Sequence, residues 1–247
     1  MTTPILLLFG LCVVFTAFLA GVFGIAGGMI LMGALLFMVS VPEAMVLHAI
    51  TQGTSNGWRA AMWRRYVLWG LVGRYCIGLL IAGLLFSLLR LVPDPRIVFI
   101  VLGIVPFLSL GLPAWMVPQA GRPLGAEICG FVCTALQLLS GVSGPLLDAF
   151  FVRSDYDRRQ VVATKAACQI VTHIAKLVYF GFLVGEVTGA AFDPVVLMVA
   201  VSMAILGTVL SRRVLEALTD HSFRRYTAWL VMAVGAVFIV RGLMGYL

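Results

Sequence analysis

Apolar residues dominate ten successive segments of the chain, and polar residues gather between the segments or along two narrow stripes inside them. The segments cover residues 4–24, 29–40, 43–63, 66–90, 97–112, 124–140, 146–152, 160–184, 193–211 and 224–245. A helix needs about 20 residues to cross the hydrocarbon core of a bilayer. Several segments reach that length, whereas 29–40 and 146–152 are short. The pattern predicts an all-α polytopic membrane protein in which the two short segments either span or turn back.

The third segment carries the first polar stripe. Its polar residues recur at i, i+4, i+7, i+8 and i+11, which places them on one face of a helix. They are His48, Gln52, Ser55, Asn56 and Arg59, and the positions 117 residues later hold Lys165, Gln169, Thr172, His173 and Lys176. A largely apolar helix with one polar stripe is expected to turn that stripe towards a partner helix or a wet cavity. Two such stripes suggest one site built from two halves.

The same offset relates two glycine-rich joints that precede the short segments. Gly24 and Gly27 of the first joint recur as Gly141 and Gly144 of the second. We interpret this correspondence as an internal duplication of about five helical segments. The first transmembrane repeat then covers 1–112, a polar linker covers 113–123, and the second repeat covers 124–247.

Composition supports the membrane interpretation. The chain is 62% hydrophobic and 11% charged, whereas a soluble domain carries about a quarter charged residues. The net charge of +7 therefore reports membrane topology and does not predict nucleic-acid binding. The five cysteines all lie in apolar segments without histidine or acidic partners at metal-ligand spacing. We expect them to be small core residues, and we expect neither a metal site nor a cofactor.

Arginines predict the orientation of the segments. Arg64 and Arg65 follow the third segment, Arg158 and Arg159 precede the eighth, and four more lie around the connection between the ninth and tenth. Basic loops stay in the cytoplasm, so we expect both termini on the outer side of a plasma membrane, most simply a bacterial inner membrane. The two halves would then be inverted repeats about a pseudo-two-fold axis in the membrane plane.

Inverted repeats with glycine-broken helices are typical of secondary transporters. A helix that restarts in mid-membrane after Gly27-Gly28 or Gly144-Pro145 would present free backbone N–H groups, and such an end attracts anions. The alternative is that these glycines only let helices pack closely.

Individual polar residues have two or three interpretations each. Lys165 lies on an apolar turn, where an ammonium is costly unless paired or wet; it either neutralises a bound anion, or pairs with Asp148, or snorkels to the interface. His48 is a proton carrier, a donor or a satisfied buried histidine. Gln52 and Gln169 either donate to anion oxygens or bond helices together. Asp148 is either a proton-coupling acid or the partner of Lys165.

The predicted substrate-binding set joins the two glycine-rich joints and the two stripes. Its members are Gly24, Gly27, Gly28, His48, Gln52, Asn56, Gly141, Ser143, Gly144, Lys165, Gln169 and His173. Proton coupling is assigned to Asp148 and His48. Arg59 and Lys176 are predicted near opposite membrane surfaces, where they either take part in the site or anchor their helices; we favour the anchoring role.

Four stretches together are similar to a known family. They are Gly24-Ile25-Ala26-Gly27-Gly28, Gly141-Val142-Ser143-Gly144-Pro145, the run from His48 to Ala60 and the run from Val161 to Ala166. In this order they resemble the TauE/SafE family of sulfite and organosulfonate exporters, over nearly the whole chain. Met29 follows the first joint where family members often have proline. The resemblance implies transport of a small sulfur-containing anion across the plasma membrane with an ion gradient of H⁺ or Na⁺.

Three other functions compete with a coupled transporter. An intramembrane enzyme would need catalytic spacing such as HExxH, paired aspartates or a serine with a base, and the sequence has none of these. A membrane scaffold would use the stripes to bind another protein. An anion channel would conduct without coupling. We therefore predict a non-enzymatic secondary transporter that works by alternating access, with a small anion and the lipid bilayer as its partners.

Overall fold

The computed structural model describes residues 3–23, 26–113, 115–151, 154–184, 192–217 and 220–245. Within them the chain forms ten α-helices and no strand, so the prediction of an all-α fold is confirmed. The helices are α1 (Thr3–Phe23), α2 (Ala26–Leu36), α3 (Val41–Met62), α4 (Trp69–Leu89), α5 (Pro95–Gly111), α6 (Gly125–Ser140), α7 (Gly144–Phe151), α8 (Arg158–Val178), α9 (Pro194–Ala217) and α10 (Asp220–Met244). A 3₁₀ turn, Arg64–Tyr66, follows α3, and a π-helical turn, Tyr179–Leu183, extends α8.

The two helices that carry the polar stripes begin in the same way. The backbone N–H of Ser40 donates to the Glu43 carboxylate (3.2 Å), and the N–H of Asp157 donates to the Gln160 side chain (3.2 Å). These contacts satisfy donors at the helix start. The first residues of α3 and α8 are 41 and 158, so the offset of the sequence repeat is kept in the structure.

Four helical stretches are long and apolar enough to cross a membrane: 3–22, 69–89, 158–183 and 194–211. Shorter apolar helices cover 26–36, 95–111, 125–140 and 229–244. Large apolar side chains cover their outer surfaces; Leu11 is 70% exposed and Leu88 is 74% exposed. Such surfaces suit lipid rather than water, and the protein is a multi-pass membrane protein.

The short helices α2 and α7 fold back beside the helices that precede them. Eleven residues of α2 rise about 16 Å, roughly half of the hydrocarbon core. Gly27 lies directly against α1, since a Cβ there would be 2.0 Å from the carbonyl oxygen of Thr16. Phe150, near the end of α7, accepts a bond from the N–H of Ala120, which precedes α6 (3.0 Å). We call α1–α2 the first hairpin and α6–α7 the second hairpin.

Helix packing repeats in the two halves. Helices α1 to α5 of the first half correspond in order to α6 to α10 of the second. Helix α1 packs on α9, and its counterpart α6 packs on α4; likewise α3 packs on α9, and α8 packs on α4. Two further contacts join a helix to its own counterpart: α3 with α8, and α5 with α10. These contacts are kept when each of the helices named is exchanged for its counterpart in the other half. Small residues make these approaches possible; Gly103 of α5 meets Gly235 of α10, whose added Cβ would lie 2.8 Å from the Gly103 carbonyl oxygen. The pattern agrees with a duplication, and the inverted orientation of the halves stays a prediction.

Candidate functional site

The two polar stripes lie against each other where α3 packs on α8. Near one end His48 contacts Lys176, and further along α3 an added Cβ at Gly53 would lie 3.6 Å from His173. Residue numbers rise on α3 as they fall on α8, so the two helices run antiparallel. We call this contact the polar seam.

Lys176 lies in the interior of the protein. Its side chain is fully buried, and its Nζ lies 2.8 Å from His48 Nδ1 and 2.9 Å from the carbonyl oxygen of Gly141. The expectation that Lys176 anchors α8 at a membrane surface is wrong, because α8 continues through the π-helical turn for another seven residues to Leu183. Within the described part of the chain, its polar contacts are to neutral groups only. Among the described residues, the amino group of Lys176 in the seam therefore has no carboxylate partner.

His48 links this ammonium to the first hairpin. Its Nε2 lies 2.9 Å from the carbonyl oxygen of Gly28. Because a carbonyl oxygen only accepts, Nε2 carries a proton and the neutral ring accepts the Lys176 bond at Nδ1. The rings of His48 and His173 are also close, with centroids 5.7 Å apart. Through His48 and Lys176, the polar seam is hydrogen-bonded to the tips of both hairpins.

Gln52 lies beside the same hairpin tip and has an unused donor. A Cβ at Gly28 would be 3.6 Å from the Gln52 amide oxygen and 3.7 Å from His48 Nε2. Gln52 is 6% exposed, and its Nε2 is buried without a hydrogen-bond partner. An unmade bond of this kind costs about 1–3 kcal/mol. The amide is placed to donate to an acceptor beside α2.

The equivalent amide in the second half is satisfied. Gln169 Nε2 donates to Ser143 Oγ (3.4 Å), which donates to Gln137 Oε1 (2.9 Å), and Gln137 Nε2 donates to His173 Nδ1 (3.0 Å). Gln137 was not among the predicted residues. The sequence feature that could have identified Gln137 is that it is a single amide in an apolar segment, four residues before Gly141. Ser143, Gln169 and His173 of the predicted set are thus brought into one chain of bonds.

Lys165 lies at the other end of the polar seam and forms an ion pair with Asp148 of α7. Their side chains are 26% and 34% exposed, so the pair is partly hydrated. Eleven residues separate Lys165 from Lys176, about 16 Å along α8. Of the alternatives open from the sequence, the structure shows the Asp148 pair. Lys165 is not part of the group formed by His48 and Lys176.

The remaining polar members of the predicted set serve the stripe itself. Asn56 Nδ2 donates to the backbone carbonyl of Gln52 (2.9 Å), and Asn56 Oδ1 accepts from Arg59 (3.4 Å). Arg59 is half-buried. Because Arg59 follows His48 by eleven residues on α3 as Lys165 precedes Lys176 by eleven on α8, the antiparallel packing places Arg59 towards the Lys165 end of the seam.

The predicted glycines differ in what they do. Gly28 and Gly141 offer carbonyl oxygens to the polar seam, and Gly141 has φ +80°, a left-handed conformation that favours glycine. Gly27 serves close packing against α1, the alternative considered for these residues. Gly144 begins α7, and Gly24 lies outside the described residues.

Two helical hairpins that are hydrogen-bonded to a buried histidine–lysine pair inside a multi-pass apolar bundle are compatible with a membrane protein of the transporter class. The family model described as Sulfite exporter TauE/SafE matches residues 9–238, and the chain belongs to that family. Its members are membrane transporters of sulfite and related sulfur anions and are not enzymes, which fits the non-enzymatic prediction. No curated protein and no solved structure matches the chain.

Proposed function

We propose that this protein is a secondary transporter that moves sulfite or a small organosulfonate across the plasma membrane by alternating access, coupled to an ion gradient. The observation that carries the proposal is Lys176, a fully buried lysine between the two hairpin tips, whose polar contacts among the described residues are to neutral groups. The family supports a sulfur anion as substrate.

The charge of Lys176 favours an anion in the seam. Burial of an unpaired charge costs several kcal/mol, and a bound anion offsets that cost with charge-assisted hydrogen bonds. Gln52 Nε2 supplies a second donor next to Gly28. The first N–H groups of α2 supply further donors, because the first turn of a helix has no internal acceptors for them. A cation would meet repulsion at the same place.

Hydrogen bonds from the seam to the hairpins offer a link between substrate and conformation. His48 bonds the first hairpin through Gly28, and Lys176 bonds the second through Gly141. An anion that takes donors of Lys176 competes with the bonds of Lys176 to His48 and to Gly141. Substrate therefore acts on the His48–Lys176 contact, which joins the two halves, and rocking of the halves would expose the site to each side in turn.

His48 offers a route for proton coupling. Its Nδ1 accepts a bond from Lys176 in the neutral ring, so a proton at Nδ1 removes that acceptor and breaks the contact. Protonation of His48 then frees a donor of Lys176 for the anion and adds a second positive charge. Asp148 is the other protonatable group assigned to coupling.

Flux in proteoliposomes tests the function. We expect uptake of labelled sulfite that increases with an imposed pH gradient and disappears in Lys176→Met. Arg64→Met removes an exposed cation of the 3₁₀ turn and serves as the matched control with unchanged flux. Flux that follows voltage and ignores the pH gradient would identify a channel. No flux of sulfite, sulfonates or carboxylates would contradict the transporter proposal and favour a scaffold.

A further inference from the structure

We propose that the carboxylate of Asp148 is an internal counter-anion, which occupies in one half of the molecule the position that the transported anion occupies in the other. This inference rests on the proposed anion site at Lys176. It assigns to Asp148 the role of closing a second, equivalent anion site at Lys165 and Arg59.

The antiparallel polar seam has two ends with equivalent residues. The sequence offset relates His48 to Lys165 and Arg59 to Lys176. His48 and Lys176 are in contact at one end. At the other end, Lys165 pairs with Asp148, and the antiparallel register brings Arg59 of α3 to the same end. Each end therefore combines one basic side chain from α3 with one from α8.

A carboxylate is present at only one of these ends. Asp148 lies on α7 and pairs with Lys165. The equivalent position on α2 is Leu31, which is apolar and 1% exposed. Leu31 follows Gly28, the residue bonded to His48, by three residues. The ammonium at this end thus lacks the acidic residue that its counterpart has.

The amides show the same difference independently. Gln169 donates to Ser143, which in turn bonds Gln137. The equivalent positions in the first half are Ala26 and Ala20, which offer no side-chain acceptor, and Gln52 Nε2 has no partner. Both the cation and the amide are satisfied by the protein at the Lys165 end and left for a ligand at the Lys176 end.

The charges explain why one carboxylate closes the second site. Lys165 and Arg59 carry two positive charges, and Asp148 neutralises one of them while its oxygens take the donors of Lys165. Carboxylate and sulfite oxygens accept the same charge-assisted bonds. Removal of the Asp148 charge leaves Lys165 and Arg59 without a carboxylate in a partly hydrated space, as Lys176 is without a carboxylate at its own end.

Calorimetric titration of the purified full-length protein with sodium sulfite tests this assignment. We expect one sulfite per chain in the wild-type protein and two in Asp148→Asn. The second should disappear in Asp148→Asn/Lys165→Met, whereas the first should persist. Asp155→Asn, the same change on an exposed loop residue, should leave one. Two bound sulfites in Asp155→Asn would mean that net charge, not position, creates the second site, and would overturn the proposal.

The reverse substitution gives a second, independent test. Leu31→Asp should place a carboxylate at the Lys176 end, weaken sulfite binding at least tenfold and remove the thermal stabilisation by sulfite. Unchanged stoichiometry in folded Asp148→Asn overturns the proposal while leaving the proposed function standing. If Asp148→Asn does not fold, wild-type binding by Leu31→Asp overturns it. Absence of sulfite binding by the wild-type protein would instead contradict the proposed function.

Discussion

The two ends of the polar seam begin from equivalent sequence and reach opposite chemical states. At the Lys165 end, Asp148 supplies the countercharge and Ser143 satisfies the Gln169 amide. At the Lys176 end, the ammonium has neutral partners and Gln52 Nε2 has none. A duplicated stripe of polar residues therefore does not define a site by itself. The neighbours on α2, α6 and α7 decide which end is free to bind.

The two lysines allow the sharpest test of this comparison. We expect Lys176→Met to lower sulfite affinity at least 100-fold. It also leaves His48 Nδ1 and the Gly141 carbonyl without a donor, which costs about 1–3 kcal/mol each, whereas removal of an unpaired buried charge offsets part of that loss. Lys165→Met should bind sulfite within threefold of wild type. It should lose about 1 kcal/mol of stability, because a partly hydrated ion pair contributes no more than that. Calorimetry measures the sulfite affinity and thermal unfolding in detergent measures the stability. Equal losses of affinity in the two variants would contradict the expected difference between the two ends of the seam.

The packing of α2 against α1 in the first hairpin can be disrupted by a substitution that leaves the charge unchanged. Gly27→Val would drive a side chain into the α1 backbone, since a Cβ there would be 2.0 Å from the Thr16 oxygen and 2.4 Å from the Ala20 nitrogen. We expect a loss of about 3 kcal/mol or more and no sulfite uptake, seen as a lower melting temperature in detergent. Gly57→Ala, which meets nothing within 4 Å, is the control and should gain about 0.5–1 kcal/mol.

Replacement of the two equivalent amides, Gln52 and Gln169, by leucine should change the stability of the protein in opposite directions. Gln52→Leu removes a buried unsatisfied donor and should stabilise the protein by about 1 kcal/mol, while it weakens sulfite binding roughly tenfold through loss of one charge-assisted bond. Gln169→Leu removes the donor to Ser143 and should lose about 1 kcal/mol with binding unchanged. The two variants need thermal unfolding and titration side by side. Destabilisation by Gln52→Leu would show that its amide has a partner in the protein.

The smallest effect is expected beside the seam, where the halves behave alike. Thr172 bonds the hydroxyl of Tyr75 on α4 (2.7 Å), and its counterpart Ser55 bonds Thr208 on α9 (3.1 Å). Tyr75→Phe and Ser55→Ala should each lose about 0.5–1.5 kcal/mol and leave sulfite binding unchanged. Thermal unfolding checks the first expectation and titration the second. A binding defect in either variant would extend the site beyond the seam.

The number of helices, their lengths and their buried faces could mostly be predicted from local sequence. The ten apolar runs predicted ten helices, because every backbone polar group inside a bilayer must be bonded within its own segment. The stripe spacing predicted the buried faces of α3 and α8, and the 117-residue offset predicted their equal starts at Val41 and Arg158. The short lengths of α2 and α7 were visible from the sequence, whereas their return beside α1 and α6 was left open.

The pairing of charges was decided by tertiary structure alone. The sequence placed Lys165 and Lys176 on one stripe and favoured Lys165 as the anion ligand, with Lys176 at the surface. In the folded chain Asp148 reaches Lys165, while the π-helical turn after α8 leaves Lys176 inside, between Gly141 and His48. The spacing of polar residues along a helix determines which of them lie on the same face, and this depends only on residues within a few turns. The depth of a charge and the identity of its partner depend on segments far away in the chain, which only the packed hairpins bring together.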